Sequence, residues 1–533
     1  PHIRDEKIKA DIIILGCSLP GIVTAHKLKK TFGDTMDIVV LDLKGPTKIT
    51  SKCNVAFEQE PVFNEDETVI IRSHNTRPSD KTTRRYLTKY TSEFNIPIPD
   101  DIIDPESVRL PLHKLFQHRN GKTVQCTKDY NDFDYLSVLE KFELDQYQAA
   151  LDQSMRELFQ STDSDANRKK LLYYDQTTME NHICNSLFFS TSREIMRTTV
   201  RLVCGVNASK VSVLFYLHQC HRTDSSRNHL DGDNTRFREK LIGYCRKKLS
   251  MKLEQSIADI TMTSKPIKEI RTYSNEQLIL ETMMGETKYI CSLLAMAVRP
   301  DELSSIQVEA QLLTKRETKI SDDMRPGVAK KFLIQYDDSF WRNNGFSGDI
   351  LSIRGPILWA MEKPKVSNTG SERYSALIGY LVVREDIDNS KDEVIEQLVK
   401  LFGEEAANPI SYKESIISDI FVPCCGDYVA YKGWITSSRF GMQWGTLDVF
   451  GEGDVAGALE AGHTTYLRLL NYLRPQAVTF DDLSLVRWTN IVPANPITRL
   501  WSYVNYMNSI RVAFFSAAIY FGLHILRSYR RNT

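Results

Sequence analysis

Near its start the chain carries a short β-branched apolar run, Asp11-Ile-Ile-Ile-Leu15, too short for a helix and read as a buried strand. Gly16-Cys-Ser-Leu-Pro-Gly21 interrupts it. From Ile22 to Lys30, Ile22, Ala25 and Leu28 share one face and Lys27, Lys29 and Lys30 the other, which predicts a helix. Ile38-Val-Val-Leu41 is a second strand, closed by Asp42. Residues 60–110 are polar, with a strand at Thr68–Arg72 and a helix near Thr83–Phe94. Helical spacing follows over Tyr135–Phe159, through Leu136, Leu139, Phe142, Leu151, Met155 and Leu158. It continues over Glu194–His221 and Arg236–Leu253, with a polar loop at Asp224–Asn234 between them.

The period then changes to two. Residues 267–273, 277–283 and 288–297 read as three strands. The third is a continuous apolar run, as in a strand buried on both faces. Val328–Tyr336 and Tyr374–Val383 are further strands, Lys391–Phe402 is a helix, and Leu447–Phe450 is a late strand. Gly451-Glu-Gly-Asp then leads into a helix from Val455 to Leu473. No repeat or low-complexity tract is present.

Strand, glycine-rich turn, helix, strand, acid is the order of a dinucleotide-binding βαβ unit. The turn offers free N–H groups at a helix N-terminus to a phosphate, and Asp42 stands where a ribose hydroxyl would donate. Ser18 occupies the middle glycine position. An ordinary βαβ crossover that binds nothing has the same outline. The second glycine-rich turn, near the far end, opens a helix of unusually small residues, Gly453 to Gly462, which would let a flat ligand approach the backbone. A capped surface helix is the plainer account of it.

Composition narrows the classes. The 533 residues suffice for two or three domains. Lys+Arg and Asp+Glu each total 68, so global charge gives no footprint for nucleic acid. Ten cysteines without C-x-x-C spacing indicate neither a disulfide framework nor a metal site, and suit a reducing compartment. Residues 1–6 lack the apolar core of a signal peptide. Val512 to Leu526 is apolar apart from His524, with Arg511 before it and Arg527, Arg530 and Arg531 after it. As a helix it spans roughly 22 Å, extended to about 27 Å by Ser509, Ile510 and snorkelling of Arg511. Trp501, Tyr503 and Tyr506 suit an interface. A single-pass tail anchor over 509–527 is therefore expected. A buried core helix or a dimer helix are the other accounts.

In the order of its motifs the chain resembles the flavin-dependent monoamine oxidase family. Gly16–Gly21 is similar to that family's FAD turn, and Pro266-Ile267 with the strands up to Val298-Arg-Pro300 to its second FAD-contacting segment. Gly327–Tyr336, followed by Phe340-Trp-Arg342, resembles the strand bearing the family's active-site lysine, and counting back from Trp341 places Lys331 there. Cys424-Cys425 precedes Gly433 by the spacing of the family's covalent flavin cysteine, with Cys425 the better match. Gly453–Gly462 resembles the helix against flavin and pyrophosphate, and the apolar tail resembles the family's outer-membrane anchor. The two facing tyrosines of the family's amine cage are absent; Gly426 and Asp454 stand at those positions. Gly45-Pro-Thr-Lys48 and Phe237-Arg-Glu-Lys replace two further glycine-rich turns.

The resemblance implies an α/β (α+β) fold: a Rossmann-like FAD/NAD(P)-binding flavoprotein with a mixed-sheet substrate domain and a C-terminal membrane helix. FAD-binding parts are expected at 1–60, 251–310 and 421–475, a mainly helical substrate region at 61–250, a mixed-sheet substrate domain at 311–420, and a linker at 476–508. It implies an FAD-dependent oxidoreductase acting on an amine or related C–N bond, with hydride transfer to flavin N5 and O2 as acceptor, at a mitochondrial outer or other intracellular membrane, where a homodimer is compatible. Lys331 is the catalytic candidate. Gly16, Ser18, Leu19, Gly21, Asp42, Ile267, Cys425, Glu452, Val455 and Ala458 are the cofactor candidates, and no metal is expected. Lys331 and Lys330 alternate faces of one strand, so one of the two should point inward; a solvent-facing lysine is the other reading. Asp454 is read as a helix cap. A catalytically degenerate scaffold, as in the Rab escort and GDP-dissociation-inhibitor proteins, or a flavoprotein similar to prenylcysteine oxidase, are the alternatives.

Overall fold

Residues 6–43, 81–97, 112–160, 165–222, 248–363 (except 250, 254, 275 and 325), 375–383, 389–445, 455–478 and 506–532 are described by a computed structural model. The predicted strands at 68–72 and 447–450, the loop 224–234, most of the helix predicted at 236–253, and Glu452 and Asp454 lie outside them.

Two mixed sheets organise the chain. The first has the order β5-β2-β1-β8-β7-β6-β9, with β15 added beside β8. Its strands are β1 (Glu6–Leu15), β2 (Ile38–Asp42), β5 (Thr261–Ser264), β6 (Ile267–Ser274), β7 (Gln277–Thr282), β8 (Thr287–Met296), β9 (Gln307–Val308) and β15 (Met442–Trp444). β1 pairs in parallel with both β2 and β8. This needs crossover connections, and α1 (Leu19–Phe32) supplies the first. β8 is buried over nearly all of its length, as its unbroken apolar sequence predicts.

The second sheet has the order β14-β10-β13-β12-β11-β3-β4. It comprises β3 (His113–Gln117), β4 (Thr123–Cys126), β10 (Pro326–Tyr336), β11 (Phe346–Ser352), β12 (Ile357–Glu362), β13 (Ser375–Leu381) and β14 (Ser411–Phe421). Its two faces bury different cores. Leu333, Trp359, Ile378 and Tyr380 join the largest cluster, shared with the first sheet and with helices α3 (Val138–Gln160), α4 (Asp165–Gln176), α5 (Met179–Ser186), α6 (Ser190–Cys204) and α7 (Val213–Arg222). Phe332, Ile334, Leu377 and Leu381 face the other way, with Val394, Leu398 and Leu401. Those last three belong to α9 (Lys391–Phe402), which follows α8 (Lys315–Asp323).

Apolar spacing predicted one helix over 194–221; the structure has two. Gly205 takes a left-handed conformation (φ 70°) and caps α6, its N–H donating to Arg201 O at 2.8 Å. A glycine tolerates this conformation without steric cost, and it ends the helix.

The C-terminal region corrects an expectation. The last helix, Tyr506–Asn532 (α12, after α10 at Tyr428–Thr436 and α11 at Val455–Leu473), forms, but no helix among the described residues is long and apolar enough to cross a membrane. Between Arg511 and His524 the apolar segment rises only roughly 18 Å, well short of a hydrocarbon core of about 30 Å. The membrane helix predicted at 509–527, and the membrane placement that followed from it, therefore lack structural support. α12 meets the fold at α5, where Arg511 donates to Asn185 O at 3.3 Å, and it leaves Phe514, Phe515, Ile519 and Phe521 exposed.

α1 is buried almost all round, and its polar residues are compensated. Helix α2 (Lys81–Glu93) brings Glu93 against it. Glu93 accepts from His26 at 3.1 Å, from Lys30 at 2.7 Å and from Lys27. Burial pushes the Glu93 carboxyl up, but the hydrogen bonds from His26, Lys27 and Lys30 override it, so the net position is well below the usual carboxylate range. A carboxyl whose folded pKa is depressed contributes stability above its unfolded pKa and loses it as pH falls. Glu93→Gln should therefore lower unfolding free energy at neutral pH by roughly 1–3 kcal/mol. It should also flatten the loss of stability below about pH 4.3, measured by urea unfolding between neutral and acid pH.

Candidate cofactor and active site

At the carboxyl end of β1 the chain turns through Gly16 with φ 111°. Gly16 N–H donates to Leu41 O, and Ala297 N–H donates to Leu15 O, both at 2.7 Å. A Cβ on Gly16 would stand 2.0 Å from Ala297 O, and one on Gly21 would stand 2.4 Å from Gly16 O. Both glycines are thus required by close backbone approach. Ser18 does not cap α1; its hydroxyl donates instead to Ala297 O at 3.1 Å. No acidic side chain lies in the first turn of α1, so its orphan N–H groups, those of Leu19 and Gly21 among them, keep an electropositive end.

Asp42 ends β2 and is 8% exposed. Its carbonyl accepts from Lys265 N–H at 3.0 Å, which ties the strand end to the segment before Ile267. Ile267 is buried at the start of β6. α11 packs on α1: a Cβ on Gly462 would meet Pro20 O at 2.5 Å, and Thr24 donates to Gly462 O at 3.0 Å. Val455 opens α11, and Ala458 packs into the core shared with α1. Gly445, just past β15, donates to Met296 O at 2.8 Å. The structure therefore gathers Gly16, Ser18, Leu19, Gly21 and Asp42 with Ala297 and Gly445 around the carboxyl ends of β1, β2 and β8. In an open α/β sheet a ligand enters there.

Lys331 and Lys330 are both buried, at 1% and 3% exposure. Lys331 pairs in register with Tyr380 of β13, which pairs with Trp359 of β12. Tyr380 and Trp359 stack with ring centroids 6.4 Å apart. Lys331 thus lies on the face of the second sheet turned toward the helices and the first sheet. Lys330 lies on the opposite face, where Glu414 is 2.8 Å from its ammonium and Ser390 Oγ accepts at 3.1 Å. The solvent-facing reading of Lys331 does not hold.

Cys425 packs against the end of α4. Its thiol donates to Asp175 O at 3.2 Å, and Gly426 N–H donates to the same oxygen at 2.7 Å. The Asp175 carboxylate caps α10, accepting from Tyr428 N–H at 3.2 Å and Val429 N–H at 3.1 Å. Burial, with Asp175, Cys424 and Asp427, pushes the Cys425 thiol up to about 11. Cys424 points elsewhere, donating to Asp323 O at 3.2 Å. Among the described residues no group of His, Cys, Asp or Glu side chains could hold a metal ion.

Comparison with known proteins places this architecture. The family described as flavin containing amine oxidoreductase matches residues 222–419. A probable flavin-containing monoamine oxidase A of Dictyostelium discoideum is 22% identical over 76% of this chain and 83% of its own length. Flavin-containing amine oxidase B of Cavia porcellus is 24% identical over 61% of this chain and 65% of its own. The chain is thus similar, at low identity, to flavin-containing amine oxidases. Among solved structures the fold is shared with putrescine oxidase bound to putrescine (TM-score 0.64, 14% identity, 87% of this chain and 99% of that one). Cyclohexylamine oxidase from Brevibacterium oxydans shares it equally (TM-score 0.63, 15% identity, again 87% and 99%).

FAD is the family's cofactor, and the glycine cradle fits it. The two close-packed glycines and the uncapped, acid-free helix start suit a pyrophosphate, and Asp42 suits a ribose. Ala297, Gly445 and Gly462 were not among the candidates read from the sequence. Each acts through backbone proximity to a residue far away in the chain, for which one sequence carries no signal. Gly21→Ala should reduce bound flavin, read as visible absorbance per protein. Gly462→Ala should cost about 1–3 kcal/mol by forcing α11 off α1, read by thermal unfolding.

Proposed function

We propose that this oxidoreductase oxidises an amine, or a related C–N bond, presented to the Lys331 face of the second sheet, with O2 as the final acceptor. The observation that carries the reading is Lys331, a lysine buried to 1% exposure in register with a Tyr380–Trp359 stack. Burying an amine costs free energy, so its place on an inner face of the sheet beside aromatic rings is a specific feature of the fold. Bound FAD would supply the two-electron oxidation of the carbon α to nitrogen, with O2 as terminal acceptor. Lys331 Nζ holds a proton or an ordered water at the reacting face, and the aromatic pair orients an apolar substrate and excludes bulk water. The named relatives and the proteins of like fold all carry amine oxidase names, which favours an amine as the donor.

Gly426 supports the second reading, a degenerate member that binds without turnover. It occupies one position of the family's aromatic cage, and nothing lies within 4 Å of where its Cβ would be. One set of measurements separates the two. Purified protein should be yellow and should release hydrogen peroxide from a panel of amines. Lys331→Met should keep the flavin spectrum and the fold, since it removes a buried amine, while turnover falls by about 10²-fold or more. A flavin-bound protein that no amine reduces would favour the second reading.

The raised Cys425 thiol also bears on cofactor attachment, because only a thiolate attacks readily. FAD should therefore come free on acid precipitation and colour the supernatant. Yellow colour retained in the pellet would instead indicate a thioether.

A further inference from the structure

A shallow pocket, open to solvent, lies between the end of α6 and strands β10, β12 and β13. Its walls are mostly apolar and include Leu202, Leu358, Tyr380 and Leu381. It abuts the reaction face: Ala329 lies two residues before Lys331 on the same face of β10, about 7 Å along the strand, and Tyr380 is the cross-strand neighbour of Lys331.

Two cations line this pocket, and they differ in their compensation. Lys330 is matched by Glu414. Arg201 is half-buried, and its Nε and Nη2 donate, at 3.0 Å and 2.6 Å, to the neutral side-chain oxygen of Asn207. Among the described residues no carboxylate comes within ion-pair distance of Arg201. Burial lowers its pKa, against a weaker pull from Glu194. The carbonyl end of α6, whose last turn contains Arg201, offsets part of that cost. The remainder is what an incoming anion would relieve, and a guanidinium matches a carboxylate with paired hydrogen bonds.

We propose that this pocket binds a carboxylate with an apolar body, that Arg201 reads the carboxylate, and that the substrate of the adjoining site is therefore an amine that also carries an acid group. The substrate assignment rests on the Lys331 face being the reaction site; the binding of the anion does not. The structural motif is a desolvated cation at the edge of an apolar pocket, with a neutral partner where a counter-ion would stand.

The test uses the full chain loaded with FAD, with phenylacetate as the probe and phenylacetamide as its neutral counterpart. Phenylacetate should raise the unfolding temperature and phenylacetamide should not. Arg201→Gln should abolish the phenylacetate shift while flavin absorbance and the ligand-free unfolding temperature stay unchanged; Arg201→Lys should restore part of it. Equal shifts with both probes, no shift with either, or a shift that survives in Arg201→Gln would overturn the proposal. In anaerobic mixing, amines bearing a carboxylate should reduce the flavin about tenfold or more faster than their carboxamides, and Arg201→Gln should remove that preference. Failure of all amines to reduce the flavin, with Arg201-dependent phenylacetate binding intact, would overturn the amine oxidase reading and leave the anion pocket standing. Reduction without carboxylate preference would overturn the substrate class.

Discussion

Ala297 N–H donates to Leu15 O at 2.7 Å, and Ser18 Oγ donates back to Ala297 O at 3.1 Å across 279 residues of sequence. Parallel pairing of β1 with β8 makes that contact, and the contact places the glycine turn against a strand end that leaves no room for a side chain. From this constraint the site follows. The start of α1 stays uncapped because Ser18 is committed to Ala297. Gly445 joins the same edge through Met296, and α11 can lie on α1 only because Gly462 has no Cβ. The first crevice is thus a backbone structure, specified by where carbonyls and amides meet rather than by reactive side chains.

Buried charges are handled in three different ways. Glu93 is surrounded by three basic partners and holds α2 to α1. Asp175 spends its carboxylate on the first amides of α10 and its carbonyl on Gly426 and Cys425; burial nevertheless raises its pKa. Lys330 is matched by Glu414. Lys331, one residue further along, is buried on the other face, in register with the Tyr380 ring. A strand turns its neighbours to alternate faces, so these adjacent lysines are buried on opposite sides of the sheet, in different surroundings.

Elements governed by local pattern were legible before any coordinates. The first βαβ unit, the strands at 267–296, the helix Lys391–Phe402 and the helix Val455–Leu473 appear where periodicity placed them. Elements governed by neighbours were not. The break at Gly205 divides a helix that apolar spacing alone would continue. β14 is an edge strand, paired among the described residues only with β10, and it leaves Ile416 in solvent. β15 is three residues long and exists only through its pairing with β8. The C-terminal run had the composition of an anchor, yet its apolar segment between Arg511 and His524 falls short of a bilayer.

Sequence by itself determined the first βαβ unit and the glycine turn within it, because these depend on spacing within short windows; Lys331 was singled out by resemblance to a family, not by local pattern. Tertiary structure alone decided that both lysines are buried and which of them faces the aromatic pair, which distant backbone closes on Gly16, and that Cys425 lies against Asp175 with its proton held. Burial, cross-strand register and the desolvation of charge are set by segments hundreds of residues apart, and no local pattern encodes the partner.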